Sequence, residues 1–168
     1  MASPSALLAS PRFVFVIPVA VGIGLVGSGV VMAQMLGLAA CPLCIIQRML
    51  YLLLAAIALP GLMVGRGGRV VVALLLAATA ATGAFVAGYQ VWIQRFAQEV
   101  NCSANQPWWE RMVDWAGERM PMLFEANGLC SDPAWKFLSL SSADWSLLIF
   151  SGLFLFSFYA LLRQRSPS

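Results

Sequence analysis

The chain predicts an all-α membrane protein: a four-transmembrane-helix bundle with a short first outer loop and a long second one carrying a short amphipathic helix. Three observations predict it. The 168 residues are 61% hydrophobic and only 10% charged, whereas a soluble domain carries about 25% charged residues. Four apolar segments reach the roughly 20 residues needed to cross a bilayer. The charges are also sorted by sign along the chain.

The spans read as about 13–35, 45–64, 70–93 and 145–162. Pro60-Gly61 and the glycines at 65, 67 and 68 break the chain between spans two and three. The polar stretch at about 94–144 is a loop between spans three and four, and residues 1–168 form a single membrane domain. Arg12 precedes span one, Arg66 and Arg69 lie between spans two and three, and Arg163 and Arg165 follow span four. All seven acids, from Glu99 to Asp144, fall in the long loop. The positive-inside rule then puts both termini and the Arg66–Arg69 turn in the cytoplasm, with the two remaining loops on the outer side. The net charge of +3 follows from this arrangement. The basic residues form no stripe that would follow a phosphate backbone, so no nucleic acid is expected.

Within the loop, Trp109, Met112, Val113, Ala116 and Met120 recur at helical spacing between Pro107 and Pro121. Glu110, Arg111, Asp114, Glu118 and Arg119 fill much of the other face. This predicts a short helix that lies on the membrane surface or packs on the rest of the protein. Its expected use is to bring the loop cysteines toward the first loop.

Two motifs in the first span are decoys. Gly22-Ile23-Gly24-Leu25-Val26-Gly27 matches GxGxxG but lacks the preceding strand and the downstream acid of a dinucleotide site. Small residues here, including Gly24 and Ser28, suit close helix packing instead. Leu38-Ala39-Ala40-Cys41 resembles a lipoprotein cleavage box, yet the apolar stretch before it is much longer than a signal h-region.

All four cysteines fall on the outer side, Cys41 and Cys44 in the first loop and Cys102 and Cys130 in the second. Outer compartments permit disulfides, and four cysteines allow three pairings. Cys41-Pro42-Leu43-Cys44 closes a ring too small to staple the fold, which favours redox chemistry over structure. A zinc site drawn from all four cysteines is the competing use of a CxxC, although the chain has no His. Pro42 suits the first turn of a helix. Arg48 shares a helix face with Cys44. It either snorkels to the interface or stabilises a Cys44 thiolate and donates to a ligand carbonyl. Gln47 and Gln34 are further polar candidates near that surface, equally suited to hydrogen bonds between helices. Static bridging of both cysteine pairs, with no redox turnover, is the alternative reading.

These residues together resemble the DsbB family, the inner-membrane disulfide bond formation protein B of bacteria. Cys41-Pro42-Leu43-Cys44-Ile45-Ile46-Gln47-Arg48 is similar to its CxLCxxQR box. Gly128-Leu129-Cys130, then Trp135-Lys136-Phe137-Leu138-Ser139-Leu140, then Asp144-Trp145-Ser146-Leu147-Leu148 follow the family's order, as does Val91-Trp92-Ile93-Gln94. Gln90 stands where many members carry a His, which puts any proton or hydrogen-bond role of that place in question. Ser139 replaces a common Gly.

The resemblance implies a protein dithiol:quinone oxidoreductase. A periplasmic DsbA-like, thioredoxin-fold partner would deliver two electrons through Cys102 to the Cys102–Cys130 pair. Cys41 and Cys44 would receive them by disulfide exchange, and a quinone, ubiquinone ahead of menaquinone, would take them near Cys44 and Arg48, with Gln47 and Gln34 nearby. The cofactor is that quinone, and no metal is expected.

Overall fold

The computed structural model describes residues 13–96, 107–133 and 135–165. A 3-10 turn, Phe13–Phe15, leads into helix α1, Val16–Leu36; helices α2, Pro42–Gly61, and α3, Arg66–Phe96, follow. The long loop carries α4, Trp108–Arg119, the single turn α5, Pro121–Phe124, and a hairpin of β1, Lys136–Phe137, with β2, Leu140–Ser141. Helix α6, Ser142–Arg165, completes the chain. Helices α1, α2, α3 and α6 through Leu162 are each long and apolar enough to cross a membrane, and the protein is a four-helix, multi-pass membrane protein.

Each boundary has a local cause. Gly37 ends α1 in the left-handed conformation, φ 61°, and the Leu38 N–H closes onto the Ala33 carbonyl at 2.9 Å. Helix α2 starts at Pro42, three residues before the expected span, because Pro42 takes a first-turn place and Cys41 caps it. Helix α3 starts at Arg66, since Gly67 and Gly68 continue as helix where a break was expected. Helix α6 starts at Ser142 on a capping box: Ser141 Oγ accepts from the Asp144 N–H at 3.2 Å, and Asp144 Oδ2 accepts from the Ser141 N–H at 2.9 Å.

The hairpin was not expected. Its register pairs Phe137 with Leu140, and Leu138 and Ser139 turn the chain at φ 51° and 66°. Two successive positive φ values define the tight turn that matches strand twist, and glycine is favoured there. The common glycine at the place of Ser139 thus has a backbone reason.

The core is shared by all four long helices, with Val26 and Val30 of α1, Tyr51 and Leu54 of α2, Leu76 and Ala80 of α3, and Phe150 and Leu153 of α6. Tyr51 stacks on Phe150 with ring centroids 4.1 Å apart. Gly83 makes room for the Phe150 ring, which a Cβ there would strike. Close approach of α1 to α2 occurs at Gly22, against the Tyr51 carbonyl; Gly24, expected to serve that purpose, faces open space. Outward residues such as Ile23, Leu53, Phe85 and Leu155 stay apolar and exposed, as a lipid-facing surface requires.

Helix α4 spans the expected segment. Val113 and Ala116 pack with Phe124 on Ile45 of α2, so this face is committed to the protein. Met112 and Met120, expected on the same face, are exposed, as are Trp108 and Trp115. Arg95 at the end of α3 pairs with Asp144 of α6 at 2.7 Å. That pair is partly exposed and is worth at most about 1 kcal/mol.

Candidate functional site

The cysteine motif is built into the start of α2. Cys41 sits outside the helix at φ −87°, ψ 161°, and its sulfur accepts the Cys44 N–H at 3.3 Å. A sulfur therefore occupies the N-cap place that an oxygen usually fills. The two sulfurs lie 2.8 Å apart in hydrogen-bond contact. Small side-chain rotations would close them to the ~2.05 Å of a disulfide.

Cys130 arrives from the long loop. The backbone N–H groups of Asn127 and Gly128 both donate to the Ala40 carbonyl at 2.9 Å. That lays the loop along the segment before Cys41. Cys130 then packs with Cys41, Leu43 and Ile93, where Cys41 hydrogen-bonds to it. Cys130 is half-buried there. Hydrogen bonds to Cys130 and Cys44, together with burial, push the Cys41 thiol well above the ordinary range. The Cys41 hydrogen bond, helped by the Leu43 backbone, holds Cys130 below the ordinary thiol value against the opposing effect of burial. Cys102 lies outside the described residues.

Gln90 of α3 is 1% exposed, and its Nε2 donates to the sulfurs of Cys41 and Cys44, each at 3.2 Å. Gln47 Nε2 donates to Gln90 Oε1 at 2.7 Å. The hydrogen-bond role left in question for Gln90 is thus present. A signal for it existed: an amide inside an apolar span must find a partner.

Cys44 also lines a cavity of about 410 Å³, with Gln47, Arg48 and Tyr51 of α2, Leu25 and Met32 of α1, and Trp145 and Ser146 of α6. Trp135 and Phe137 close one side, and Trp145 Nε1 donates to the Phe137 carbonyl at 3.2 Å. The Tyr51 hydroxyl, near Ser146, is buried with no hydrogen bond of good geometry among the described residues. Tyr51, Trp135 and Trp145 were not singled out as site residues, since tyrosine and tryptophan in or beside a span read as core or interface. Arg48 is half-buried, its Nη1 donates to the Leu123 carbonyl at 3.1 Å, and its charge reaches both sulfurs of the CxxC. Gln34 does not line this cavity. It is exposed and borders a smaller pocket of about 290 Å³ with Arg48, Glu125 and Asn127.

Fold and site together define a class: a four-helix membrane protein whose cysteine pair caps a helix at the wall of an apolar cavity. Residues 11–160 match the family model of disulfide bond formation protein DsbB. The chain is 38% identical over 144 residues to the disulfide bond formation protein B of Dechloromonas aromatica, covering 84% of this chain and 87% of that one. It is 36% identical over 170 residues to that of Nitrosomonas europaea, covering 94% and 95%. Disulfide bond formation protein B 1 of Pseudomonas aeruginosa is 29% identical over 161 residues. The chain belongs to the DsbB family, and its role is in disulfide bond formation.

Proposed function

We propose that the protein reoxidises a periplasmic, DsbA-type thiol oxidase and passes the electrons through two cysteine pairs to a membrane quinone. One observation carries the reading: Cys44 contacts Cys41, Cys41 contacts Cys130, and Cys44 also lines the apolar cavity beside Arg48.

A thiolate of the partner attacks Cys102 in the Cys102–Cys130 disulfide, and Cys130 leaves as a thiolate. Cys130 attacks Cys41 in the Cys41–Cys44 disulfide, and the electron pair of that bond leaves on Cys44. The second partner thiol then releases the partner from Cys102 as its own disulfide, and the freed Cys102 thiolate attacks Cys130 in the Cys130–Cys41 bond, which re-forms Cys102–Cys130 and leaves Cys41 and Cys44 as the reduced pair. Cys130 is suited to attack because the first exchange releases it already as the thiolate, in contact with Cys41.

An acceptor outside the thiol pool is needed. A DsbA-type oxidant has a potential of about −120 mV, which ordinary thiol couples do not reach. A bound quinone supplies a two-electron, two-proton acceptor. The cavity fits one: its volume lies in the range of about 300–1,000 Å³ typical of small-molecule sites. Its aromatic and aliphatic walls suit a quinone ring, and the Arg48 guanidinium and the Tyr51 hydroxyl, which makes no hydrogen bond of good geometry among the described residues, suit its carbonyl oxygens. Ubiquinone is proposed ahead of menaquinone. Following the charge bias, the cysteine loops face the periplasm and both termini face the cytoplasm.

The test has two parts. Quinone extracted from the purified protein should be identified by mass, and the protein should couple oxidation of a reduced thioredoxin-fold partner to quinone reduction. In Cys130→Ser the partner should stay attached through Cys102 as a DTT-sensitive adduct. Cysteine pairs that stay fully oxidised in cells deprived of quinone would instead make both bridges static and end this reading.

A further inference from the structure

Two glutamine amides run in series into the cysteine pair. An amide has one acceptor end and one donor end with two N–H groups. Gln47 occupies the acceptor end of Gln90 at 2.7 Å, which leaves both Gln90 N–H groups for sulfur. Gln47 is 4% exposed and Gln90 1%, so both amides are shielded from bulk water. Reversing the Gln90 amide would set its oxygen against the sulfurs and repel any thiolate.

We propose that Gln90 is the group that holds negative charge on the cysteine pair, and that Gln47 is a positioning residue that fixes the direction of its amide. This deepens the dithiol–disulfide reading above and rests on it. When Cys130 attacks Cys41, the Cys130–Cys41 bond forms, the Cys41–Cys44 bond breaks, and its electron pair goes to Cys44. No proton moves and no outside oxidant is needed. A bare anion at the part-buried Cys44 sulfur is costly without a donor. Gln90 Nε2 already touches both sulfurs, so the donor is in place before the charge arrives and stays in contact as the bond between them opens.

The donor is also indifferent to pH. An amide does not titrate in the working range, and the chain has no His. The other charged or titratable groups at the pair are Arg48 on α2, Cys130 on the loop, and Glu110 on α4, whose charge reaches Cys130. Arg48 acts through its charge and spends a hydrogen bond on the Leu123 carbonyl. The direct side-chain donor to sulfur from α3 is Gln90.

The experiment reads Cys44 alkylation by iodoacetamide against pH, by mass of the Cys44 peptide, in full-length Cys41→Ser protein in detergent. Gln90→Met keeps the length and removes both donors. The rate at neutral pH should fall about tenfold, the size of a charge-assisted hydrogen bond. Gln47→Leu leaves the Gln90 amide free to turn and should cost about threefold. Gln90→His keeps a ring N–H and should recover most of the rate. An unchanged profile in Gln90→Met, where the wild-type chain with all four cysteines couples dithiol to quinone, overturns the inference and leaves the function standing. A wild-type chain without that coupling overturns the function itself, whatever the alkylation shows. Should Gln90→Met fail to accumulate, Gln47→Leu decides, and an unchanged profile there overturns the inference. A Gln90→His rate as low as that of Gln90→Met would assign the loss to packing and also overturn it.

Discussion

The backbone N–H of Gly128 donates to the Ala40 carbonyl at 2.9 Å, and this bond places the long loop against the residue before Cys41. A Cβ on Gly128 would lie 2.6 Å from the Ala39 carbonyl oxygen, so only glycine lets the two backbones meet. Gly128→Val is expected to push the loop away and separate Cys130 from Cys41. Transfer between the two cysteine pairs should slow by about tenfold or more, since exchange needs near contact. Stopped-flow or quenched single turnover with reduced partner measures it. An unchanged rate would show that the loop reaches Cys41 by another route.

Cys130 reactivity should depend on Cys41. With Cys41 as donor, the Cys130 value is lowered. Thiolate is therefore present above that lowered value and is lost as the pH falls through it. In DTT-reduced protein, Cys41→Ala removes the largest cause of the lowering, so the alkylation curve of Cys130 should shift to higher pH. At pH 7 the rate should drop about threefold, the size of one ordinary hydrogen bond. A curve that does not move would mean that the Leu43 backbone alone sets it.

Arg48 should matter to the quinone more than to the partner. Arg48→Ala is expected to cut quinone reduction by about tenfold or more, while the first transfer from partner dithiol to the enzyme persists in a single turnover. Arg48→Lys should rescue only part, because lysine lacks the planar fork that serves two acceptors at once. Normal quinone kinetics in both variants would leave Arg48 as a structural tie to the Leu123 carbonyl.

Ser139 turns the hairpin at φ 66°, a conformation that costs an L residue about 1 kcal/mol. Ser139→Gly should relieve it. Amide exchange across 136–141 should slow by about fivefold, the population change that corresponds to that energy. Faster exchange would mean that the Ser139 side chain contributes more than its backbone costs.

Sequence alone determined the four spans and the paired-cysteine cap at the start of the second. Apolar runs of about 20 residues declare themselves one at a time, because each helix satisfies its own backbone in lipid. Cys41-Pro42-Leu43-Cys44 is likewise local: the cap, the first-turn proline and the paired sulfurs all lie within one helical turn. Where α2, α3 and α6 begin was less legible. The Ser141–Asp144 box and the helical Gly67 and Gly68 depend on short contacts that hydropathy does not register.

Tertiary structure decided what surrounds the sulfurs. Gln90 lies 46 residues from Cys44 in sequence and 3.2 Å from it in space. Tyr51 and Trp145, 94 residues apart in sequence, line one cavity, while Gln34, close to Cys41 in sequence, borders a different pocket. Helical periodicity sets which residues of one segment share a face. The rotation of each helix against its neighbours comes from packing among them, through contacts such as Gly22 with Tyr51 and Gly83 with Phe150. No single segment carries that information, so the donor to the cysteine pair and the walls of the cavity emerge only when the four helices are assembled.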